Sequence, residues 1–165
     1  MSTPDQIGVL FVCLGNICRS PSAQGIFQHH VEQAGLAGQF RVDSCGTAPF
    51  NVGKQPDQRT LAATRRYGYD ISDQIARQIC DDDYRHFDYI IPMDRKNMMS
   101  VTAWQPKDYH GEIRLLMEYH PDNLGNTQIP DPYHEGIEQF YPIIETIEQA
   151  TAGLLQHIIR VRALR

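Results

Sequence analysis

The chain has few of the features that mark disulfide-built, membrane-spanning or nucleic-acid-binding proteins. Only four of its 165 residues are cysteine, which is too few for a disulfide scaffold. The most apolar run covers residues 7–14, far short of the ~20 residues that a membrane-spanning helix needs. The 15 basic residues are outnumbered by 20 acidic ones, which argues against nucleic acid or an anionic membrane as the main partner.

The N-terminal sequence also lacks the features of a signal peptide. Its first six residues, MSTPDQ, contain no lysine or arginine before the apolar run, so we expect a cytoplasmic protein. What is present is typical of a globular chain, with 41% hydrophobic and 21% charged residues. The length and the absence of repeats or a long linker predict one domain over residues 1–165.

Strand-like and helix-like patterns alternate along the chain. Residues 7–12 form a continuous apolar run, which is typical of a strand buried on both faces of a parallel sheet. Further strands are predicted at residues 40–44, 89–93 and 113–116. Helices are predicted at residues 20–34, 57–67, 95–103 and 140–158, with mixed helix and turn at 73–86. This alternation predicts a three-layer α/β fold with a mostly parallel sheet.

The segment after the first strand carries the clearest chemistry. Residues 13–19 read CLGNICR, and Ser20-Pro21 resembles a helix start. A loop of this length can direct several backbone N–H groups at one anion, and Arg19 can bind two phosphate oxygens. The positive field then favours the thiolate of Cys13 and predicts attack on phosphorus to give a phosphocysteine. The alternative is a buried cysteine at a strand end and an unrelated surface arginine.

A proton donor for the leaving oxygen is expected in the long loop 119–136. Long irregular loops in compact domains are usually functional or disordered. Asp131 lies there between two prolines, and Tyr133 beside it can stack on an aromatic leaving group. A carboxylic acid in this role accelerates such reactions roughly 10²–10⁴-fold. Taken alone, the segment also fits an ordinary Asp-Pro turn.

These segments together resemble the low-molecular-weight protein tyrosine phosphatase family over essentially the whole chain. Residues 12–21, VCLGNICRSP, look like the signature loop of that family. Its further motifs are matched in order by residues 42–47, 53–59, 76–78, 93–97 and 131–133. The resemblance implies a four-stranded parallel sheet flanked by helices on both faces. It also implies a two-step hydrolysis of phosphomonoesters that uses neither a metal nor another cofactor.

The resemblance also implies a role for each residue of the site. Cys13 is the expected nucleophile and Arg19 binds the phosphate, while Asp131 first donates a proton and later activates water. Asn16 braces the loop with Ser44 as its partner. The expected substrate-binding residues are Leu14, Gly15, Asn16, Ile17, Cys18, Ser20, Phe50 and Tyr133. Among them, Ser20 hydrogen-bonds the thiolate, and Cys18 can form a reversible disulfide with Cys13 that protects it from irreversible oxidation.

Several positions depart from the family pattern. Gln74 stands where many members have a histidine in the network that holds Asn16, so the rigidity of the loop is expected to differ. Phe50-Asn51 replaces a Trp-His pair that is common in bacterial members, which affects substrate preference. Cys45 stands where alanine is usual and is interpreted as a small buried thiol.

Three other functions remain open. A thiol-dependent arsenate reductase shares the loop but needs two more cysteines, and Met93 stands where the first is found. A phosphoarginine phosphatase carries threonine at the position of Ile17, whose larger side chain is expected to crowd a phosphoguanidinium. The third is an inactive phosphotyrosine-binding module, although Cys13, Arg19 and Asp131 are all present.

The predicted partners follow from the favoured function. The substrate is expected to be a phosphotyrosine-containing protein or a small aryl phosphate. Inorganic phosphate and vanadate are expected to inhibit. We expect a monomer that binds neither nucleic acid nor a membrane.

Overall fold

The sheet has four parallel strands in a computed structural model that describes residues 6–122, 125 and 128–164. The strands are β1 Ile7–Cys13, β2 Phe40–Gly46, β3 Tyr89–Pro92 and β4 Glu112–Ile113. Their order across the sheet is β2-β1-β3-β4, and every neighbouring pair is parallel. The predicted four-stranded parallel sheet is confirmed.

Five α-helices lie along the described part of the chain. They are α1 Arg19–Gln33, α2 Gln58–Arg66, α3 Asp83–His86, α4 Arg95–Trp104 and α5 Phe140–Arg162. Short 3₁₀ turns occur at Ala37–Gln39, Leu116–Tyr119 and Ile137–Gln139. None of the helices described is both long and apolar enough to cross a membrane.

The side chains of β1 alternate between two hydrophobic cores. Val9 and Phe11 pack on one face of the sheet with residues of α1 and α5. Leu10 and Val12 pack on the other face, with Val101 of α4. Because successive side chains of a strand point to opposite faces, a strand buried on both sides needs an unbroken apolar run. The predicted three-layer sandwich is confirmed.

The prediction of mixed helix and turn at residues 73–86 holds only in part, since the helix is confined to Asp83–His86. Upstream of it, the backbone bonds to other segments. The N–H groups of Gly46 and Gly53 donate to the carbonyls of Arg77 and Ala76, and Ile79 N–H donates to Gly46. These carbonyls and N–H groups are therefore unavailable to a helical ladder.

Two predicted boundaries were also wrong. The fourth strand ends at Ile113, not at residue 116, because Leu116 opens a 3₁₀ turn in which Glu118 accepts a hydrogen bond from Leu115 N–H. Helix α1 begins at Arg19 with Cys18 as its N-cap, so Ser20 lies inside the first turn. The Ser20 hydroxyl consequently does not cap the helix and is free to bond side chains of the site.

Some sequence predictions fall on positions outside the described residues. The expectation that there is no signal peptide concerns the N-terminus, where residues 1–5 are not described. Within the predicted functional loop 119–136, residues 123, 124, 126 and 127 are likewise outside the description.

Candidate active site

A cavity of about 260 Å³ opens at the carboxyl end of β1. Its lining includes most of the predicted site residues: Cys13, Leu14, Gly15, Ile17, Cys18, Arg19, Phe50, Asp131 and Tyr133. Asn51 and His134 also line it. Of the predicted substrate-binding residues, Asn16 and Ser20 do not line the cavity, because their side chains are buried behind the loop. The site lies where ligands of parallel α/β sheets are usually bound.

Asn16 braces the loop 13–19 from behind. Its backbone is left-handed, with φ of 57°, a conformation that asparagine tolerates better than most residues. The side-chain Nδ2 donates to Ser20 Oγ at 2.9 Å and to Ser44 Oγ at 3.0 Å. Its Oδ1 accepts from Arg77 N–H at 3.0 Å. One buried amide thus connects the loop, α1, β2 and the segment after α2.

Ser20 connects this network to the sulfur of Cys13. Cys13 Sγ lies 2.9 Å from Ser20 Oγ. Because Ser20 Oγ accepts a hydrogen bond from Asn16, its own hydrogen can point to Cys13 Sγ, or to the Cys45 carbonyl at 3.3 Å. A hydroxyl hydrogen directed at sulfur stabilises the thiolate.

The network extends to Gln24, a residue that the sequence analysis missed. Ser44 Oγ donates to Gln24 Oε1 at 2.6 Å. Gln74, which replaces the expected histidine, instead donates from Nε2 to the Pro21 carbonyl at 3.0 Å. Position 24 lies four residues after Ser20 on α1, and this spacing places both on one face of the helix. That spacing was the signal available in the sequence.

Arg19 is held in place by groups that lie outside the loop 13–19. Its side chain is only 3% exposed, and its Nη1 donates to Asp94 Oδ2 at 2.7 Å and to the Ile129 carbonyl at 2.9 Å. Burial acts to lower the pKa of Arg19, but Cys13 and the hydrogen bond to Asp94 raise it above its ordinary value. The guanidinium therefore stays cationic and is held in one orientation.

Asp94 has two structural tasks that the sequence analysis did not identify. Besides pairing with Arg19, its Oδ1 accepts a hydrogen bond from Asn97 N–H at 2.8 Å and caps α4. An aspartate followed by a helix is a recognisable N-cap signal. Its pairing with Arg19, which lies 75 positions away, depends on the tertiary structure.

Asp131 is brought to the cavity by the segment 129–135, which lies against the end of β3. Ile129 N–H donates to the Met93 carbonyl at 2.9 Å, which attaches the segment to the end of that strand. Asp131 Oδ2 lies 3.7 Å from Arg19 Nη2, and its side chain is 40% exposed. Its Oδ1 accepts from Tyr133 N–H at 3.1 Å. Cys13, Arg19 and Asp131 therefore line one cavity.

The four cysteines differ sharply in environment. Cys18 is buried beside the cavity, and burial raises the pKa of its thiol to about 12. Cys45 is fully buried, as expected, and burial raises its pKa as well. Cys80 is exposed, and all four thiols are unbridged. Within the described ranges, no group of three His, Cys, Asp or Glu side chains is placed to hold a metal ion.

Comparisons with known sequences agree with this geometry. A family model described as low molecular weight phosphotyrosine protein phosphatase matches residues 8–163. A putative low molecular weight protein-tyrosine-phosphatase, slr0328 of Synechocystis, is 38% identical over 148 residues, which cover 89% of this chain and 93% of the relative. YfkJ of Bacillus subtilis, a low molecular weight protein-tyrosine-phosphatase, is 36% identical over 158 residues, covering 96% and 99% of the two chains.

Comparisons with solved structures also match phosphatases. A protein tyrosine phosphatase from Entamoeba histolytica, with Hepes in its active site, has a TM-score of 0.90 at 31% identity and covers 95% of this chain and 99% of its own. The Drosophila arginine phosphatase DARP has a TM-score of 0.83 at 33% identity, covering 90% and 96%. The chain therefore belongs to the low molecular weight phosphotyrosine protein phosphatase family, whose members are cysteine-dependent hydrolases.

Proposed function

We propose that this protein is a protein-tyrosine phosphatase that hydrolyses phosphotyrosine and small aryl phosphates through a phosphocysteine intermediate. The observation that carries the proposal is the convergence of Cys13, Arg19 and Asp131 on one cavity of about 260 Å³. A nucleophile, a fixed cation and a carboxyl group are the three parts that a phosphomonoester hydrolysis of this kind requires.

In the first step, the Cys13 thiolate attacks phosphorus. An S–P bond forms, the bond from phosphorus to the phenolic oxygen breaks, and the protonated Asp131 gives its proton to that leaving oxygen. The guanidinium of Arg19 binds non-bridging oxygens together with backbone N–H groups of the loop. This places positive charge where negative charge is concentrated in the transition state.

In the second step, water releases the phosphate. The Asp131 carboxylate takes a proton from a water molecule, the water oxygen attacks phosphorus, and the S–P bond breaks. Cys13 leaves as a thiolate, and the Ser20 hydroxyl, 2.9 Å from Cys13 Sγ, stabilises it. The products are inorganic phosphate and the free enzyme. Phosphate, and vanadate as its analogue, are therefore expected to bind the same loop as competitive inhibitors.

The leaving group is proposed to lie between apolar walls. Leu14, Phe50 and Tyr133 line the cavity and are 44%, 71% and 46% exposed. Their exposed faces can pack on a phenol ring, and aromatic side chains contribute most of such contacts. The physiological substrate is thus proposed to be a phosphotyrosine-containing protein. We further propose that the chain acts as a single-domain monomer in the cytoplasm.

The alternative activities fit the site less well. Ile17 lines the cavity with a branched apolar side chain, which suits a flat phenol better than a charged phosphoguanidinium. For arsenate reduction, two further cysteines would have to reach Cys13. Met93 is buried at one expected position, and the exposed Cys80 does not line the cavity.

One experiment separates these possibilities. Hydrolysis of p-nitrophenyl phosphate would be measured at mildly acidic pH with dithiothreitol and EDTA, for the wild type and Cys13→Ser. We expect turnover only in the wild type and competitive inhibition by vanadate, while Cys13→Ser still binds phosphate. Parallel assays with phosphoarginine, and with arsenate plus a thioredoxin system, test the alternatives. Hydrolysis by Cys13→Ser would contradict the proposal, and phosphate binding without turnover in the wild type would favour a binding module.

A further inference from the structure

Arg59 of α2 is held rigidly by Asp57. Its Nε donates to Asp57 Oδ1 and its Nη2 to Asp57 Oδ2, both at 2.9 Å. Asp57 is also the N-cap of α2, where its Oδ1 accepts from Arg59 N–H at 2.8 Å. Paired hydrogen bonds of this kind fix the plane of the guanidinium as well as its position.

This ion pair is attached to the phosphate-binding loop. The backbone N–H of Asp57 donates to the Ile17 carbonyl at 2.9 Å. Ile17 lines the cavity two residues before Arg19. The guanidinium of Arg59 is therefore held at a fixed position relative to the loop that contains Cys13.

The other side of the guanidinium contacts the segment that contains Asp131. Arg59 Nη1 donates to the Glu135 carbonyl at 2.6 Å, and its guanidinium carbon lies 5.6 Å from the centre of the Tyr133 ring. Glu135 N–H donates to the Pro132 carbonyl at 2.9 Å, which closes a turn just after Asp131. Arg59 thus holds the far end of the turn that begins beside the carboxyl group.

The segment 129–135 is consequently held on both sides of Asp131. Before it, Ile129 is bonded to the Met93 carbonyl and to Arg19. After it, the attachment at Glu135 comes from Arg59. Asp131 itself is 40% exposed and lies on irregular backbone, so its reach toward the leaving oxygen depends on these attachments.

We propose that Arg59 is a positioning residue for the Asp131 proton donor, joining the turn at residues 132–135 to the phosphate-binding loop through Asp57. This inference rests on the acid role given to Asp131 under the proposed function. Displacing a catalytic group by about 1 Å can reduce a rate on the order of 10²-fold. Loss of one of two attachments is expected to reduce proton donation by about tenfold.

The site requires arginine and not simply a cation. The planar guanidinium binds both Asp57 oxygens while Nη1 still reaches the Glu135 carbonyl. A lysine ammonium is a single point of charge and cannot reproduce this fork. Arg59→Lys is therefore expected to recover only part of what Arg59→Met loses.

The test compares leaving groups, because proton donation matters most when the leaving phenolate is basic. Values of kcat/KM would be measured for phenyl phosphate and p-nitrophenyl phosphate with Arg59→Met. We expect a loss of about tenfold for phenyl phosphate and less than about threefold for p-nitrophenyl phosphate. The matched control is Arg66→Met, since Arg66 ends the same helix and stacks 4.3 Å from the centre of the Tyr141 ring, away from the cavity. It should leave both values within about twofold.

Two further measurements distinguish positioning from a general loss of structure. Vanadate affinity shows whether the loop 13–19 still binds an anion normally. In Arg59→Met it should stay within about twofold of the wild-type value. Hydrogen exchange of the backbone amides at residues 133–135 should be faster in Arg59→Met than in Arg66→Met. Equal losses for both phosphates, a parallel loss of vanadate affinity, or unchanged exchange would overturn the inference.

The controls also separate this inference from the proposed function. If the loss of kcat/KM in Asp131→Asn is the same for both leaving groups, the acid role of Asp131 itself fails. If the loss is larger for phenyl phosphate in Asp131→Asn but equal for both phosphates in Arg59→Met, only the role of Arg59 fails. Should Arg59→Met not fold, Asp57→Asn is the second variant, because asparagine still caps α2 but lacks the charge that orients Arg59. The inference would also be overturned if the ratio of kcat/KM for phenyl phosphate to that for p-nitrophenyl phosphate were the same in Asp57→Asn as in the wild type.

Discussion

Arg19 Nη2 lies 3.7 Å from Asp131 Oδ2, across the mouth of the cavity. Arg19 keeps closer partners elsewhere, since Asp94 Oδ2 and the Ile129 carbonyl lie 2.7 Å and 2.9 Å from its Nη1. Arg19 therefore stays in place when the Asp131 carboxylate is neutralised. The two functions proposed for the site, phosphate binding and proton transfer, can be removed separately.

Asp131→Asn is expected to remove proton donation while leaving phosphate binding intact. The value of kcat/KM for phenyl phosphate should fall on the order of 10²–10⁴-fold, because an amide cannot protonate the leaving oxygen. The loss should be smaller for 2,4-dinitrophenyl phosphate, whose phenolate leaves without help. Steady-state kinetics with both substrates, together with vanadate inhibition, check this. An equal loss for both would argue against an acid role.

Gln24→Ala is expected to loosen the loop from behind. Ser44 Oγ loses the acceptor that lies at 2.6 Å, and leaving a buried polar group unsatisfied costs about 1–3 kcal/mol. The Asn16 amide that bonds Ser44 then becomes less well oriented, so vanadate should bind a few-fold more weakly. Thermal unfolding and vanadate inhibition measure the two effects.

The control for this change is Gln28→Ala, one turn further along α1. Gln28 bonds Glu32 at 3.2 Å in an exposed position, so its removal should change stability by less than about 0.5 kcal/mol. If the two alanine variants behaved alike, Gln24 would have no special role in the network.

Cys18 is expected to make peroxide inactivation reversible. Peroxide converts the Cys13 thiolate to a sulfenic acid; Cys18 sulfur then attacks Cys13 sulfur, and water leaves as the disulfide forms. Burial raises the pKa of Cys18 to about 12, so Cys18 stays a thiol at neutral pH and is not oxidised first. After peroxide treatment, dithiothreitol should restore most activity to the wild type and little to Cys18→Ser.

The exposed Cys80 provides the matched control for this experiment. Cys80→Ser should recover like the wild type, because Cys80 does not line the cavity. Mass spectrometry of digested protein should find Cys13 and Cys18 in one disulfide-linked peptide. Full recovery of Cys18→Ser would contradict the proposed protective disulfide.

The Asp57–Arg59 pair should stabilise the protein in a pH-dependent way. Its hydrogen bonds with Arg59 hold the pKa of Asp57 below its ordinary value, so the folded state binds fewer protons than the unfolded one. The stabilisation is then complete above about pH 4 and is lost as the pH falls through the lowered pKa. Asp57→Asn should lower Tm by roughly 5 °C at neutral pH.

The difference between wild type and Asp57→Asn should shrink as the pH falls towards about 3. Thermal unfolding followed by circular dichroism across this range measures it. A difference that stayed constant with pH would mean that the charge of Asp57 contributes nothing to stability.

The parts of the site that lie close together in the chain were predictable. Strand, loop and helix start follow one another within residues 7–21, and the apolar run, the Gly-Asn turn and Arg19 are all local signals. The departure at Gln74 was also visible, but its consequence was not. The contact of Ser44 with Gln24 depends on how α1 packs against β2.

The least successful prediction concerned residues 73–86. Local propensity allowed a helix there, yet Gly46 and Gly53 donate backbone hydrogen bonds to residues 76 and 77. Asp83, the last of three consecutive aspartates in this segment, is buried and paired with Arg77 at 2.9 Å. Both outcomes are cases in which tertiary contacts override local preference.

The sequence by itself determined the order of elements, the double burial of β1 and the position of the loop 13–19, because these depend on residues within a few positions of one another. Only the tertiary structure decided which distant groups complete the site. Asp94 orients Arg19, and Arg59 reaches the turn after Asp131. Such contacts depend on how α2, α4 and the segment 129–135 pack around the end of the sheet. Local spacing carries no information about the distance between side chains on separate elements.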